Sequence, residues 1–245
     1  MSGRVETASP GASPNVWHMY RAMVGVGLVC GLLIVVVFEL TRPVIERNKA
    51  EALQRAIFQV LPEARSSKTF RLEGEEKFLP LEGKADGAQL VYGGYDDAQN
   101  LVGVAVEAQG MGYQDVIRII YGYSFAEDAV VGIQVLESKE TPGLGTRIET
   151  DPDFRENFVR LDVSLTEDLT SIANPIEAVK HGRKEHPWQV DGITGATISS
   201  VAIANILNRS TTYWVPRIRR NLDDFGEQGS RVAGNRDDSA AGSTP

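Results

Sequence analysis

An apolar run without a single charge, Ala22 to Phe38 (AMVGVGLVCGLLIVVVF), constrains this chain more than any other feature. As an α-helix it would reach about 26 Å, at the short end of the hydrocarbon thickness of a bilayer. Backbone polar groups in hydrocarbon must be satisfied within the segment, and a helix does that. Trp17 and Tyr20 precede the run, where amphipathic rings favour the membrane interface. Arg21 on one side and Arg42 on the other lie within snorkelling reach. A cleavable leader is the alternative, but Phe38-Glu-Leu-Thr-Arg-Pro43 lacks a small-x-small cleavage site. The expectation is a retained transmembrane anchor over 22–40, preceded by a disordered tail over 1–21.

Beyond the anchor the pattern changes. Val44 to Leu61 has helical periodicity, with apolar residues at 45, 52, 53, 56, 57, 60 and 61, and Pro62 ends it. This predicts a linker helix over 41–62, an extension of the anchor helix with a break near Pro43. Strand-like runs follow at Lys68–Leu72, Gln89–Tyr92, Leu101–Ala108, Val116–Tyr123 and Val130–Glu137. Gly, Asp and Asn clusters join several of them, as between antiparallel neighbours, and Ala126-Glu-Asp128 is short enough for a hairpin. Helices are expected at Leu144–Thr150, at Phe154–Leu161, and from Val201 to about Leu222 with Pro216 as a kink or break. Strands followed by helices indicate an α+β domain over 63–222 with an antiparallel sheet. Residues 223–245 are polar and are expected to form a disordered tail.

Composition excludes several functions. The formal net charge of -8 disfavours nucleic-acid binding. The one cysteine, Cys30, lies inside the apolar run, so this chain alone can hold neither an internal disulfide nor an all-cysteine iron–sulfur cluster. His18, His181 and His186 lack metal-ligand spacing, and no metal site is expected. There is no Gly-x-Gly-x-x-Gly, so a dinucleotide-binding Rossmann site is unsupported. If the chain handles electrons, it does so with an organic cofactor.

The stretch Asp191-Gly-Ile-Thr-Gly-Ala-Thr197-Ile-Ser-Ser200 feeds directly into the apolar helix Val201–Leu207. A helix start offers unpaired N–H groups and a partial positive charge, which suit a phosphate. Gly195 and Ala196 let the backbone come close to such an anion, and the hydroxyls of Thr194, Thr197 and Ser200 add donors. The plain alternative is a helix cap, since Asp, Thr and Ser are ordinary capping residues. For Ser199 a polar helix face is preferred. A second stretch, Glu140-Thr-Pro-Gly-Leu-Gly145, reads locally as a tight turn before a short helix.

Together these two stretches resemble the signatures of the FMN-binding domain family. Asp191-x-x-Thr-Gly-Ala-Thr197 resembles its flavinylation motif, and Glu140–Gly145 resembles the loop that lines the flavin. With the anchor, the resemblance over roughly residues 22–210 is to the G subunits of Rnf-type ion-translocating electron transport complexes. It implies covalent FMN on Thr197 through a phosphoester, attached by a separate flavin transferase that draws on FAD. Asp191 would then serve recognition by that enzyme. Thr194, Gly195, Ala196 and Ser200 would contact the phosphate or ribityl chain. Glu140, Thr141, Gly143 and Leu144 would line the ring, and Lys180, in a basic stretch before the motif, would stabilise reduced flavin. Trp188 and Tyr123 could stack on the ring, although large aromatics usually pack in cores. Partners would be membrane, flavin and iron–sulfur subunits coupling electron flow between ferredoxin and NAD to ion movement. The C subunit of sodium-translocating NADH:quinone reductases shares the motifs and is the alternative parent, and a membrane-anchored flavin-binding or sensor module without electron transfer is a rival of another class.

Charge and resemblance disagree on orientation. Arg42, Arg47, Lys49 and Arg55 outnumber Arg4 and Arg21, so positive-inside counting places the large domain in the cytoplasm. The resemblance implies a bacterial inner-membrane protein with that domain in the periplasm. The second expectation is the one followed, because Glu39, Glu46 and Glu51 sit among the downstream cations.

Overall fold

The computed structural model describes residues 16–74, 76–81 and 89–226. The chain forms two compact units, Met1–Glu51 and Ala52–Pro245. Helix α1 (Val16–Val60) begins in the first unit and ends in the second; its part in the first carries exposed apolar side chains all round, from Trp17 through Leu28, Ile34 and Phe38 to Leu40. It is long and apolar enough to cross a membrane. Residues 16–21 are helical, not tail, because the amphipathic Trp17–Tyr20 turn continues the helical run. The helix also runs through Pro43, where a break was expected. Proline removes one backbone hydrogen bond and crowds the preceding turn, yet the assigned helix continues to Val60. Residues 1–15 and 227–245, assigned to tails, lie outside the described residues.

The second unit is built on a seven-stranded sheet in the order β2-β1-β3-β4-β5-β6-β7, antiparallel throughout. Its strands are β1 (Ser66–Glu73), β2 (Lys77–Pro80), β3 (Leu90–Tyr95), β4 (Leu101–Met111), β5 (Val116–Ser124), β6 (Ala129–Glu137) and β7 (Leu161–Asp162). Alternation along the strands sorts side chains onto two faces. Val104 and Val106 of β4 and Ile117, Ile119, Tyr121 and Tyr123 of β5 join the main core, whereas Ala105 and Ile120 face the other side. There they meet Ala56, Ile57 and Val60 from the end of α1 and Leu61 just after it. That contact is close because the sheet presents glycines. A Cβ on Gly122 would lie 2.1 Å from the Val60 carbonyl oxygen, and one on Gly132 would lie 2.8 Å from Val60 Cα.

The main core is closed by α4 (Thr197–Arg220), which buries Ala202, Ile203, Ile206, Leu207, Trp214 and Ile218. These positions recur at helical spacing, so one face of α4 lies on the sheet. The assigned helix runs on through Pro216, where a break was one expectation; Trp214, Val215 and Ile218 around it are all buried. The domain also runs past Leu222. A 3-10 turn over Leu222–Phe225 buries Phe225 between Phe70 and Phe78, at centroid distances of 4.7 and 4.8 Å. The Tyr95 hydroxyl donates to the Phe225 carbonyl at 2.6 Å. The expected tail start at residue 223 is therefore corrected for Asp223–Phe225, which are part of this turn.

Between sheet and α4 lie short elements: α2 (Arg147–Thr150), α3 (Pro152–Glu156), and a parallel pair β8 (Glu177–Val179) and β9 (Gln189–Asp191). The expected helix over Phe154–Leu161 stops at Glu156, and Leu161 instead starts β7. Phe154, Phe158 and Leu161 are buried, and tertiary packing overrides their helical spacing. Strand β9 delivers the chain into the turn before α4.

Candidate functional site

The turn from Asp191 to Ala196 is held from within. Ser200 Oγ accepts from the Ile193 amide at 3.1 Å and donates to the Ala196 carbonyl at 2.9 Å. Ala196 N–H donates to the Ile193 carbonyl at 3.0 Å. Gly195 has φ +87, a conformation that L side chains rarely adopt, so the sharp bend needs glycine there. Helix α4 then begins at Thr197 with Ala196 at the N-cap position, where no side chain makes a capping hydrogen bond. Thr197 is exposed. The helix start thus presents polar N–H groups without the usual side-chain cap.

One side of this turn borders a cleft of about 370 Å³, lined by Tyr113, Glu140, Thr141, Leu144, Gly145, Gly195, Ala196, Thr197, Ile198 and Ser199. The two stretches singled out in the sequence therefore meet across one space. Tyr113, Leu144 and Ile198 are more than half exposed, at 64%, 54% and 58%, which leaves an apolar rim uncovered. The opposite wall is a turn. Thr146 Oγ1 accepts from the Gly143 amide at 3.0 Å, and the Leu144 amide donates to the Thr141 carbonyl at 3.1 Å. The size and the mix of apolar surface with a few polar groups suit a cofactor.

The other side of the turn borders a smaller polar cleft, about 110 Å³, lined by Arg147, Asp151, Asp153, Phe154, His181, Asp191, Gly192, Ile193 and Thr194. Arg147 bridges its walls, donating to the Thr194 carbonyl at 2.9 Å and to Asp151 Oδ2 at 2.5 Å. Burial opposes ionisation of Asp151, but the hydrogen bonds from Arg147 and the Phe154 amide outweigh it and hold its carboxyl below the ordinary value. Asp191 Oδ2 accepts from the Gly182 amide at 3.0 Å and lies 3.3 Å from His181 Nδ1. Its Oδ1 is buried and has no hydrogen-bond partner among the described residues. Asn157 fixes the backbone of Asp191 in both directions, accepting from its amide and donating to its carbonyl.

Of the residues expected at the site, Glu140, Thr141, Leu144, Gly195, Ala196 and Thr197 come together at the larger cleft. Gly143, at φ +76, shapes the opposite turn without lining it. Thr194 lines the polar cleft instead. Ser200 is fully buried and committed to the turn, so its expected place at a phosphate gives way to an internal role. Lys180 is exposed just after β8 and lines neither cleft. Ser199, expected to be a plain helix face, is buried in the cleft wall and donates to Glu140 Oε2. Tyr123 is a core residue whose hydroxyl donates to Asp128, and Trp188 stacks on His186 at 4.5 Å. Sequence reasoning missed Tyr113 and Ile198. An aromatic at a Gly-flanked hairpin tip was the available signal for Tyr113; nothing in the sequence marked Ile198.

These features fit the similarities found among known proteins. The FMN-binding domain family matches residues 112–212, a span containing both walls of the cleft. The G subunit of the ion-translocating oxidoreductase complex of Methanosarcina acetivorans is 31% identical over 206 residues, covering 82% of this chain and 95% of that one. The protein of the same name from Shewanella piezotolerans is 28% identical over 207 residues, covering 80% and 91%. The fold is similar to that of the C subunit of the Na(+)-translocating NADH-quinone reductase of Parabacteroides distasonis, with a TM-score of 0.54 at 18% identity over 71% of this chain and 95% of that one. A chain with an apolar helix, an antiparallel sheet domain, and a threonine-bearing turn facing a cleft within the FMN-binding match belongs to the family of ion-translocating oxidoreductase complex G subunits.

Proposed function

We propose that this chain is a membrane-anchored electron-carrying subunit whose FMN is joined through its phosphate to Thr197 Oγ1. A flavin held there supplies reversible electron uptake and release. The observation that carries the reading is the meeting of both motifs across one cleft, with the exposed Thr197 at the uncapped start of α4. The donor set fits the group. The helix start and the Thr197 hydroxyl suit a phosphate, and Tyr113, Leu144 and Ile198 offer apolar surface for a flat ring.

The rest of the chain's work is positioning. Ser200 and Gly195 hold the bend that exposes Thr197, and Thr141 and Leu144 border the cleft opposite it. A threonine hydroxyl is a weak nucleophile without an activating base. The activating chemistry therefore belongs to a separate flavin transferase, for which Asp191, with one oxygen unpartnered in the polar cleft, is the recognition group. The partners are flavin- and iron–sulfur-bearing membrane subunits of a complex that couples electron flow between ferredoxin and NAD to ion movement.

The chain is placed in the bacterial inner membrane with the domain on the periplasmic side. Arg42–Glu46 and Arg47–Glu51 ion pairs, at 3.1 and 2.8 Å, offset part of the basic charge that argues for the opposite orientation. Alkaline phosphatase fused after residue 226 should be active, and an inactive fusion overturns this orientation. Co-expression with a flavin transferase should give an in-gel fluorescent band that Thr197→Ala abolishes. A band in the variant would place the attachment elsewhere.

A further inference from the structure

Glu140 is 3% exposed and sits in the wall of the larger cleft. A buried carboxylate is costly unless it is paired or well hydrogen-bonded. Its partners are neutral: Oε1 accepts from the Gln114 amide at 3.0 Å, and Oε2 accepts from Ser199 Oγ at 2.5 Å. The adjacent cation, Lys139, pairs with Asp115 instead, at 2.7 Å.

The surroundings are shaped to this carboxylate. A Cβ on Gly112 would come within 2.5 Å of Oε1, and a Cβ on Gly145 within 2.5 Å of Oε2. Real Cβ contacts are never that short, so both positions leave room that the carboxylate fills. Three segments meet on it: the β4–β5 turn at Gln114, the 140–146 turn that carries it, and the first turn of α4 at Ser199. Ser199 lies two positions after Thr197 on that same turn.

We propose that Glu140 is the positioning residue of the cleft: it clamps the β4–β5 turn and the start of α4 to its own loop, and its charge, with no cation paired to it among the described residues, opposes reduction of a flavin bound there. The clamp stands without any ligand; the effect on reduction rests on the flavin reading above. A negative charge near the ring destabilises a reduced, anionic form relative to the oxidised one and so lowers the potential.

The test uses the full chain, with and without flavin transferase, and compares wild type, Glu140→Gln and Glu140→Ala. Without flavin, hydrogen exchange at the Gln114 amide should be at least tenfold faster in Glu140→Ala than in wild type. Equal rates overturn the clamp. Glu140→Gln keeps the shape and an acceptor for Gln114, so its melting temperature should stay close to that of wild type, and it removes the charge. Loaded with flavin, it should shift the oxidised-to-reduced ratio about tenfold toward reduced, about 59 mV upward for a one-electron couple. A loaded Glu140→Gln protein with the wild-type potential overturns the charge effect, whatever its melting temperature. A wild-type protein that takes up no flavin overturns the flavin reading and the charge effect with it, while the Gln114 amide still decides the clamp.

Discussion

The turn between β9 and α4 separates two clefts of opposite character. On one side, Arg147, Asp151, Asp153, His181 and Asp191 make a small polar space. On the other, Tyr113, Leu144 and Ile198 rim a larger and more apolar one. The contrast teaches that the motif divides by position. Its aspartate half belongs to the polar cleft, and its Gly-Ala-Thr half to the apolar cleft. A group that serves only the attachment reaction need not touch the bound ring. The two sides should therefore be separable by mutation: the polar side governs how fast flavin is attached, and the apolar side governs how the attached flavin is held.

The largest effect that would sharpen or break this division is expected at Asp191. Asp191→Asn keeps an acceptor for the Gly182 amide but removes the charge. Losing a hydrogen bond to a charged group costs about 1.5–3 kcal/mol, so attachment should slow by roughly 10- to 100-fold. The measurement is the rate of fluorescent-band formation with transferase in excess. The absorption spectrum of whatever flavin is attached should be unchanged; an altered spectrum would mean that the polar side reaches the ring.

On the apolar side, Leu144→Ala should leave attachment within a few-fold of wild type. It should expose the ring, because Leu144, 54% exposed at the cleft rim, offers apolar surface that a flat ring can cover. Quenching of the attached flavin by iodide reports this, and slow attachment with unchanged quenching would reverse the assignment.

A smaller effect is expected within the turn. Ser200→Ala strips a buried hydroxyl that serves both the Ile193 amide and the Ala196 carbonyl. The cost is about 1–3 kcal/mol, or several degrees of melting temperature for a domain of this size, read by calorimetry of the full chain. An unchanged melting temperature would show that Ser200 does not hold the bend.

The smallest effect lies far from both clefts. Burial raises the Tyr95 hydroxyl to about 12. Its folded-state value exceeds its unfolded one, so its contribution is complete below pH of about 10 and is lost as pH rises toward about 12. Tyr92, Tyr121 and Tyr123 are raised further by burial and lose theirs at still higher pH. An ultraviolet difference titration should show these four hydroxyls ionising late, together with unfolding. Ionisation of Tyr95 at the ordinary tyrosine value would mean that the C-terminal turn over Phe225 is open.

What the sequence made legible follows the range of the forces involved. The five long strands were readable because each alternates locally, and α4 because its apolar spacing is local too. Strand β2, with four residues, and the parallel pair β8–β9, with three each, are too short to carry a period, and their pairing is set by neighbours. The Glu140–Ser199 contact spans 59 positions, so neither residue announces the other. Phe225 fell in a polar stretch, and only its aromatic partners in β1 and β2 bring it inside. The motif at Asp191–Thr197 was visible as a string of residues. That it faces two different clefts was not, because Arg147 and Tyr113 arrive from distant parts of the chain.

The central claim is that Thr197 carries the flavin. Trypsin should release Glu185–Arg209 as one peptide, since no Lys or Arg lies between those positions. That peptide contains Thr194, Thr197, Ser199 and Ser200, all the hydroxyls around the turn. Fragmentation mass spectrometry of the protein co-expressed with flavin transferase should place a single FMN phosphoryl group on Thr197. A modified Thr194, Ser199 or Ser200, or a peptide bearing no flavin, would contradict the account.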